Sequence, residues 1–225
     1  MTQKYKMAVF DVDGTLVDSV EAIANGILSA NQEMGLKPIS FDTAKSVIGL
    51  GFADVVPIVA PELNPEHYQE YIQIYVRYFL QSDPYLKLFP NVLEFLETLH
   101  AAGIKVAVAT GKSRKGLDRI FNRMGIWNYF DDSITSDEGK PKPNPRMLEI
   151  LLERNNLLPE QAVMIGDTDH DIKFGKAARV DTVAVTWGAA PEEVLVKHAP
   201  TQLVHSLNEL AASFGVSFLP QAHRK

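Results

Sequence analysis

The chain has 225 residues with 46% apolar and 22% charged side chains, enough to bury a core and larger than one average domain, so one core with a substantial insertion is expected. A formal charge of −6 argues against a nucleic-acid backbone as partner, because such binding rests on clustered Lys and Arg; the absence of cysteine rules out disulfides, thiolate metal sites and a cysteine nucleophile, and points to the reducing cytoplasm. The longest apolar stretches, 104–109 and 182–187, fall far short of the ~20 residues that cross a bilayer, and Asp11 and Asp13 interrupt the N-terminal segment before a targeting signal could form.

A first strand is predicted over 7–10, leaving through Asp11, Val12, Asp13, Gly14 and Thr15. If 11–13 stay extended, the two carboxylates project to one side and repel each other unless a cation joins them. Mg²⁺ suits that role, since it prefers oxygen ligands and binds one or two carboxylates together with water and phosphate. The competing reading is a solvated Asp-Gly turn. A calcium loop is excluded, because Leu16 stands where its glycine is needed and Ala22 where its glutamate is needed.

From 16 to 88 no convincing strand is visible, and helical segments are broken at Pro38, Gly49, Gly51, Pro61 and Pro65. This predicts a helical insertion after the first strand, with a return linker around 84–90. From Thr15 to residue 88 nine acidic residues face four basic ones, Lys37, Lys45, Arg77 and Lys87. A doubly anionic substrate needs one of these cations, or the amides near Gly49 and Gly51, to face the site. Lys45 with the turn 49–52 is therefore the candidate substrate-contacting patch, an ordinary helix-to-helix turn being the other reading. Gly49 and Gly51 do not form a dinucleotide fingerprint, because no strand precedes them and Asp54 holds the third glycine position. Tyr68, Tyr71, Ile72, Tyr75, Val76 and Phe79 recur at helical spacing, a stripe that could wall a substrate, form a dimer face or simply pack.

Beyond the insertion, strands are predicted at 105–109, 132–135, 162–165 and 182–186, with helical periodicity over 92–99, 117–124 and 147–152. This alternation is that of an open parallel sheet, whose ligands gather outside the carboxyl ends of the strands. The strand 105–109 exits through Thr110 and Gly111, a hydroxyl and a permissive glycine at a helix start, suited to a phosphate oxygen or to helix capping by Thr110 or Ser113. A nucleotide phosphate loop is excluded by Val106 at its first glycine position. After 132–135 comes Gly139, Lys140, Pro141, Lys142, Pro143, Asn144, Pro145, a stiff loop that either fixes a lysine in place or is a surface linker. After 162–165 come Gly166, Asp167, Thr168, Asp169, His170 and Asp171, more acid than a turn needs and again suited to a cation. His170 reads as a hydrogen-bonded neighbour rather than a base. The tail 221–225 is expected to be disordered.

Taken in order, these strand exits resemble the haloacid dehalogenase superfamily of phosphatases over nearly the whole chain. Asp11, Asp13, Gly14 and Thr15 match its first motif, Asp-x-Asp-Gly-Thr, and Thr110 its second. Lys140 with Pro141 and Pro143 matches the third, and Gly166, Asp167, Thr168 and Asp171 a fourth with one residue fewer than usual. The resemblance implies an α/β fold with a Rossmann-like parallel sheet, a catalytic core of 1–15 and 89–220, and a small all-helical cap at 16–88 like that of the phosphoglycolate phosphatases. It further implies Asp11 as nucleophile forming an aspartyl-phosphate, Asp13 as general acid and base, and Lys140 as charge balance. Mg²⁺ would be held by Asp11, Asp167 and the Asp13 carbonyl, with Asp171 behind them, and phosphate by Thr110 and Gly111. The expected substrate is a small phosphate monoester, phosphoglycolate-like, in a monomer or homodimer. Sugar phosphates, nucleotides, pyrophosphate and a β-phosphoglucomutase-like mutase are the alternatives, Thr15 leaning toward a hydrolase. A phospho-aspartate signalling domain is the non-enzyme alternative, disfavoured by the first-strand position of Asp11.

Overall fold

The computed structural model describes residues 4–218. The expected disorder at 221–225, and the outermost residues of the expected core, lie outside them. Strand β1 (Met7–Phe10) is buried at all four positions, as befits a strand covered on both faces. It lies between β4 (Lys105–Thr110) and β6 (Ala162–Gly166), both parallel to it. With β5 (Asp132–Thr135), β7 (Asp181–Val185) and β8 (Gln202–Val204) these form one six-stranded parallel sheet in the order β5-β4-β1-β6-β7-β8. Strand β8 has no counterpart in the sequence reading: it is a three-residue edge strand, too short to display a period.

Phe10 pairs with Val108 on one side and with Ile165 on the other, so the exits of the three central strands come out level. The chain runs from β1 to one neighbour and later to the other, which opens a crevice above β1 at the point where strand order reverses. Crossovers are made by α5 (Val92–Ala101), α6 (Arg114–Met124), α7 (Arg146–Asn155) and α8 (Asp169–Ala177), followed by α9 (Glu192–Lys197) and α10 (Leu207–Ser213). Each crossover presents an apolar stripe to the sheet, Phe95, Leu96 and Leu99 from α5 and Leu148, Leu151 and Leu152 from α7 being buried.

Between β1 and α5 lie helices α1 (Val20–Glu33), α2 (Phe41–Ser46), α3 (Phe52–Val59) and α4 (Tyr68–Ser82). Two very short strands the sequence did not reveal, β2 (Val17–Asp18) and β3 (Lys87–Leu88), pair antiparallel where this helical segment leaves and rejoins the core. The Phe89 amide donates to the Leu16 carbonyl at 3.0 Å in the same place, so the two connecting chains run together. Within the helical segment, the aromatic stripe of α4 packs on α1. Tyr71, Tyr75 and Phe79 are buried, Tyr75 stacks on Phe79, and the Tyr71 hydroxyl donates to Asn31 Oδ1 at 2.7 Å. The Asn31 amide in turn donates to the Val59 carbonyl at 2.7 Å. One buried polar chain thus joins α1, α3 and α4, every member having a partner.

Candidate active site

At the exit of β1, Asp11 is 1% exposed. Its Oδ1 lies 2.9 Å from Lys142 Nζ, and neither carboxylate oxygen has a well-aligned hydrogen bond. Lys142 is itself fully buried and donates to Asp171 Oδ1 at 2.6 Å. The other oxygen of Asp171 accepts from the Thr168 amide at 3.0 Å and its hydroxyl at 2.7 Å. Thr168 and Asp171 together form the capping box that starts α8. The signal Thr-x-x-Asp before a helix is readable in a sequence, but here it is hidden inside the acidic run.

Asp167, also fully buried, accepts the Thr15 hydroxyl at 2.6 Å on Oδ1 and the Ala189 amide at 2.7 Å on Oδ2. Carboxylate oxygens of Asp11, Asp167 and Asp171 lie within 4.8 Å of one another. Gly14 makes this closeness possible: it has φ +81°, and a Cβ there would stand 2.2 Å from Asp167 Oδ2.

Three acids around one ammonium leave a surplus of negative charge in a place water does not reach. Burial, reinforced by the neighbouring carboxylates, pushes Asp11 up to about 7 and Asp167 well above the usual carboxylate range. Burial works against the Lys142 ammonium, but Asp11 and Asp171 outweigh it and hold its pKa above the ordinary lysine value. Orphaned oxygens on Asp11 and an all-oxygen donor set are what a hard divalent cation requires.

The lysine in this cluster is Lys142, and not Lys140 as the motif reading had it. Lys140 is exposed. The loop satisfies Lys-Pro-x-Pro twice, at 140–143 and again at 142–145. The turn after β5, where the Gly139 amide donates back to the Thr135 carbonyl at 3.2 Å, leaves Lys140 in solvent and delivers the second lysine to Asp11.

Asp13 stands apart from the buried cluster and lines a cavity. Its Oδ1 accepts the Ser19 hydroxyl at 2.6 Å and its Oδ2 meets Lys112 Nζ at 2.9 Å. Neither partner was singled out in the sequence. From β4, buried Thr110 accepts the Lys112 amide at 3.2 Å, while Ser113 is the residue that caps α6. Gly111 meets the helical segment, since a Cβ there would be 2.6 Å from the Gly49 carbonyl oxygen. The cavity, about 390 Å³, lies between α1, α3 and α4 on one side and the start of α6 on the other.

The expected substrate patch divides. Gly49 lines the cavity, and a Cβ on Gly51 would press on Pro141 at 2.9 Å. Lys45 lines a separate hollow with Thr168 and Asp169. His170 Nε2 lies 3.2 Å from the Ser46 carbonyl, a contact between α8 and the end of α2. No helix among the described residues is long and apolar enough to cross a membrane.

A family model described as haloacid dehalogenase-like hydrolase matches residues 8–185. The phosphoglycolate phosphatase of Aquifex aeolicus (strain VF5) is 33% identical over 81% of this chain and 85% of its own length. The pyrophosphatase PpaX of Bacillus velezensis is 30% identical over 96% of this chain and its full length. Among solved structures, that of a protein from Haemophilus somnus 129PT, described as a predicted phosphoglycolate phosphatase, superposes with a TM-score of 0.85 at 25% identity. It covers 95% of this chain and 99% of its own.

Proposed function

Because the chain belongs to the haloacid dehalogenase-like hydrolases and is a phosphatase of that family, we propose that it cleaves a small phosphate monoester with Asp11 as nucleophile and Asp13 as general acid and base. The observation that carries this reading is Asp11 itself, buried with both oxygens unsatisfied, 2.9 Å from a buried ammonium and beside a second carboxylate. A carboxylate so placed is desolvated and aimed, two requirements of a nucleophile that works by positioning.

An oxygen of Asp11 attacks phosphorus and the bond to the leaving oxygen breaks, while Asp13 gives that oxygen its proton. Water then attacks the aspartyl-phosphate, passing a proton to Asp13 and releasing phosphate with Asp11 restored. Asp13 suits this double duty because it faces the cavity rather than the buried acids. Its contacts with Ser19 and Lys112 hold the carboxylate in one orientation. Asp11, Asp167 and the Asp13 carbonyl would hold Mg²⁺, which when bound offsets the charge of the phosphate against that of the acids. Asp171 has both oxygens committed to Lys142 and Thr168, so its part is to fix the lysine. Thr110 and the Gly111 amide would take a phosphoryl oxygen.

We take 16–88 as a cap on a core of 1–15 and 89–220, with the β2–β3 pair as the place where it swings, shutting water out during transfer and readmitting it afterwards. Phosphoglycolate is the monoester its relatives' names favour; pyrophosphate is the second reading, resting on the PpaX relative. The test is phosphate release from phosphoglycolate and pyrophosphate with Mg²⁺, with EDTA, and with Asp11→Asn. Mg²⁺-dependent release that falls on the order of 10⁵-fold in the variant is expected; equal release by the variant would overturn the role of Asp11.

A further inference from the structure

The cavity beside Asp13 has a chemistry that a two-carbon leaving group does not use. Its volume of about 390 Å³ falls in the range of roughly 300–1,000 Å³ that holds drug-sized ligands. Ile23, Ile27, Val47, Val55 and Phe79 supply apolar wall from the helical segment. The opposite side is cationic, being formed by Lys112 in the turn before α6 and by Lys115 and Arg119 on it.

These three cations differ in what they already hold. Lys112 is committed to Asp13. Lys115 stands exposed at the mouth, with no ion pair among the described residues. Arg119 reaches across to the helical segment, with Nη2 3.2 Å from Asp83 and its guanidinium 5.6 Å from the Phe79 ring centre. Its Nε, however, is buried with no partner. Among the described residues, the two oxygens of Asp11 and this Nε are the only buried side-chain polar atoms left so. A buried donor without an acceptor is costly enough that native structures rarely keep one. The Asp11 oxygens mark where the phosphoryl group and cation would sit; the single orphaned donor belongs to Arg119, which lines the cavity beside Asp13, and it calls for an acceptor on the other end of the ligand.

We propose that the preferred ester carries an amphipathic leaving group, an apolar body lying against Ile23, Val55 and Phe79 and ending in an anionic oxygen group read by Arg119 and Lys115. The inference rests on the phosphatase mechanism above and departs from it in the ester, since phosphoglycolate has the terminal anion but no apolar body. An apolar body is favoured because it covers wall that would otherwise stay wet. The terminal anion is favoured because a guanidinium held by Asp83 and Phe79 is already oriented, so little freedom is lost when it binds.

The test compares phenyl phosphate, 4-carboxyphenyl phosphate and phosphoglycolate as substrates with Mg²⁺. In the wild type, kcat/KM for 4-carboxyphenyl phosphate is expected to exceed that of each of the other two about tenfold, what a charge-assisted hydrogen bond supplies. Arg119→Met should remove most of the advantage over phenyl phosphate, mainly through KM. Because Arg119 also holds Asp83, Arg119→Lys and the exposed Lys115→Met serve as variants that keep the fold. Lys115→Met should lower the advantage by about threefold. Equal rates for the two aryl esters, a clear preference for phosphoglycolate, or an advantage untouched in every variant would overturn the proposal. Absence of turnover of all three substrates would overturn the phosphatase mechanism and the proposal with it.

Discussion

The floor of the site and the wall above it are held by different forces. The floor consists of Asp11, Asp167, Asp171 and Lys142, all buried, the last three locked by hydrogen bonds of 2.6 to 3.0 Å and Asp11 standing 2.9 Å from the Lys142 ammonium. The wall is apolar packing from α1, α3 and α4, and it meets the core through close contacts such as that of Gly111 with Gly49. Charge in a dry place tolerates little displacement, because each misplaced group becomes an unpaired one. Apolar packing accepts substitution of similar volume. The floor should therefore decide whether the chemistry happens, and the wall on what.

After the loss expected of Asp11→Asn, the largest effect comes from the two lysines of one loop. Lys142→Met should lower kcat by about 10²- to 10³-fold, as loss of a preorganised charge in a buried site does. Lys140→Met should leave kcat within about twofold, since its side chain is exposed. Steady-state kinetics with a melting curve for each variant checks the pair, and similar losses would show that the turn after β5 does not select between them.

Smaller is the effect of Gly111→Ala. Its Cβ would sit 2.6 Å from the Gly49 carbonyl oxygen, so the helical segment must move away, at about 1–3 kcal/mol for such overpacking. A drop in kcat/KM of roughly tenfold is expected. An unchanged value would mean that the contact is not part of the productive state. Tyr71→Phe removes the hydroxyl that donates to Asn31, away from both floor and cavity. It should cost about 1–2 kcal/mol in denaturant unfolding and leave kcat and KM alone; altered kinetics would couple the inner packing of the wall to the reaction.

The smallest effect is electrostatic and lies at neither place. The Arg114 guanidinium, 2.5 Å from Glu138, holds that carboxyl below its ordinary 4.5. A carboxyl whose folded pKa is depressed adds stability that is present above the unfolded value and lost as pH falls through the folded one. Glu138→Gln should thus cost less than ~1 kcal/mol at pH 7, the pair being partly exposed. The gap from wild type should close as pH drops below 4.5. Urea melts at neutral and acid pH would detect it, and a constant gap would contradict an ionic origin.

The two regions also differed in how readable they were. Strand β1 and the acids at its exit stand out because a buried apolar run that ends abruptly in Asp-x-Asp is a local pattern, and the same holds for β4, β5, β6 and their exits. The family resemblance rested on those exits, and the sheet places them together. The register of the loop after β5 was not readable, because Lys140 and Lys142 both satisfy the motif and the difference lies in which one the turn buries. Ser19 and Lys112 escaped notice because a hydroxyl and a lysine carry no distinctive spacing; their meaning comes only from Asp13 lying 2.6 and 2.9 Å away. Lys45, selected for its charge, lines a different hollow from Asp13.

By itself, the order of residues determined the alternation of strands and helices, the place of the helical insertion and the identity of the acids. These depend on short-range periodicity and on side-chain chemistry that neighbours along the chain suffice to specify. The tertiary structure alone decided which lysine neutralises Asp11, which groups hold Asp13, and that Arg119 looks into an apolar cavity. Each of those is a meeting of segments far apart in the chain, and burial, which sets the strength of a charge or a hydrogen bond, exists only once they have met.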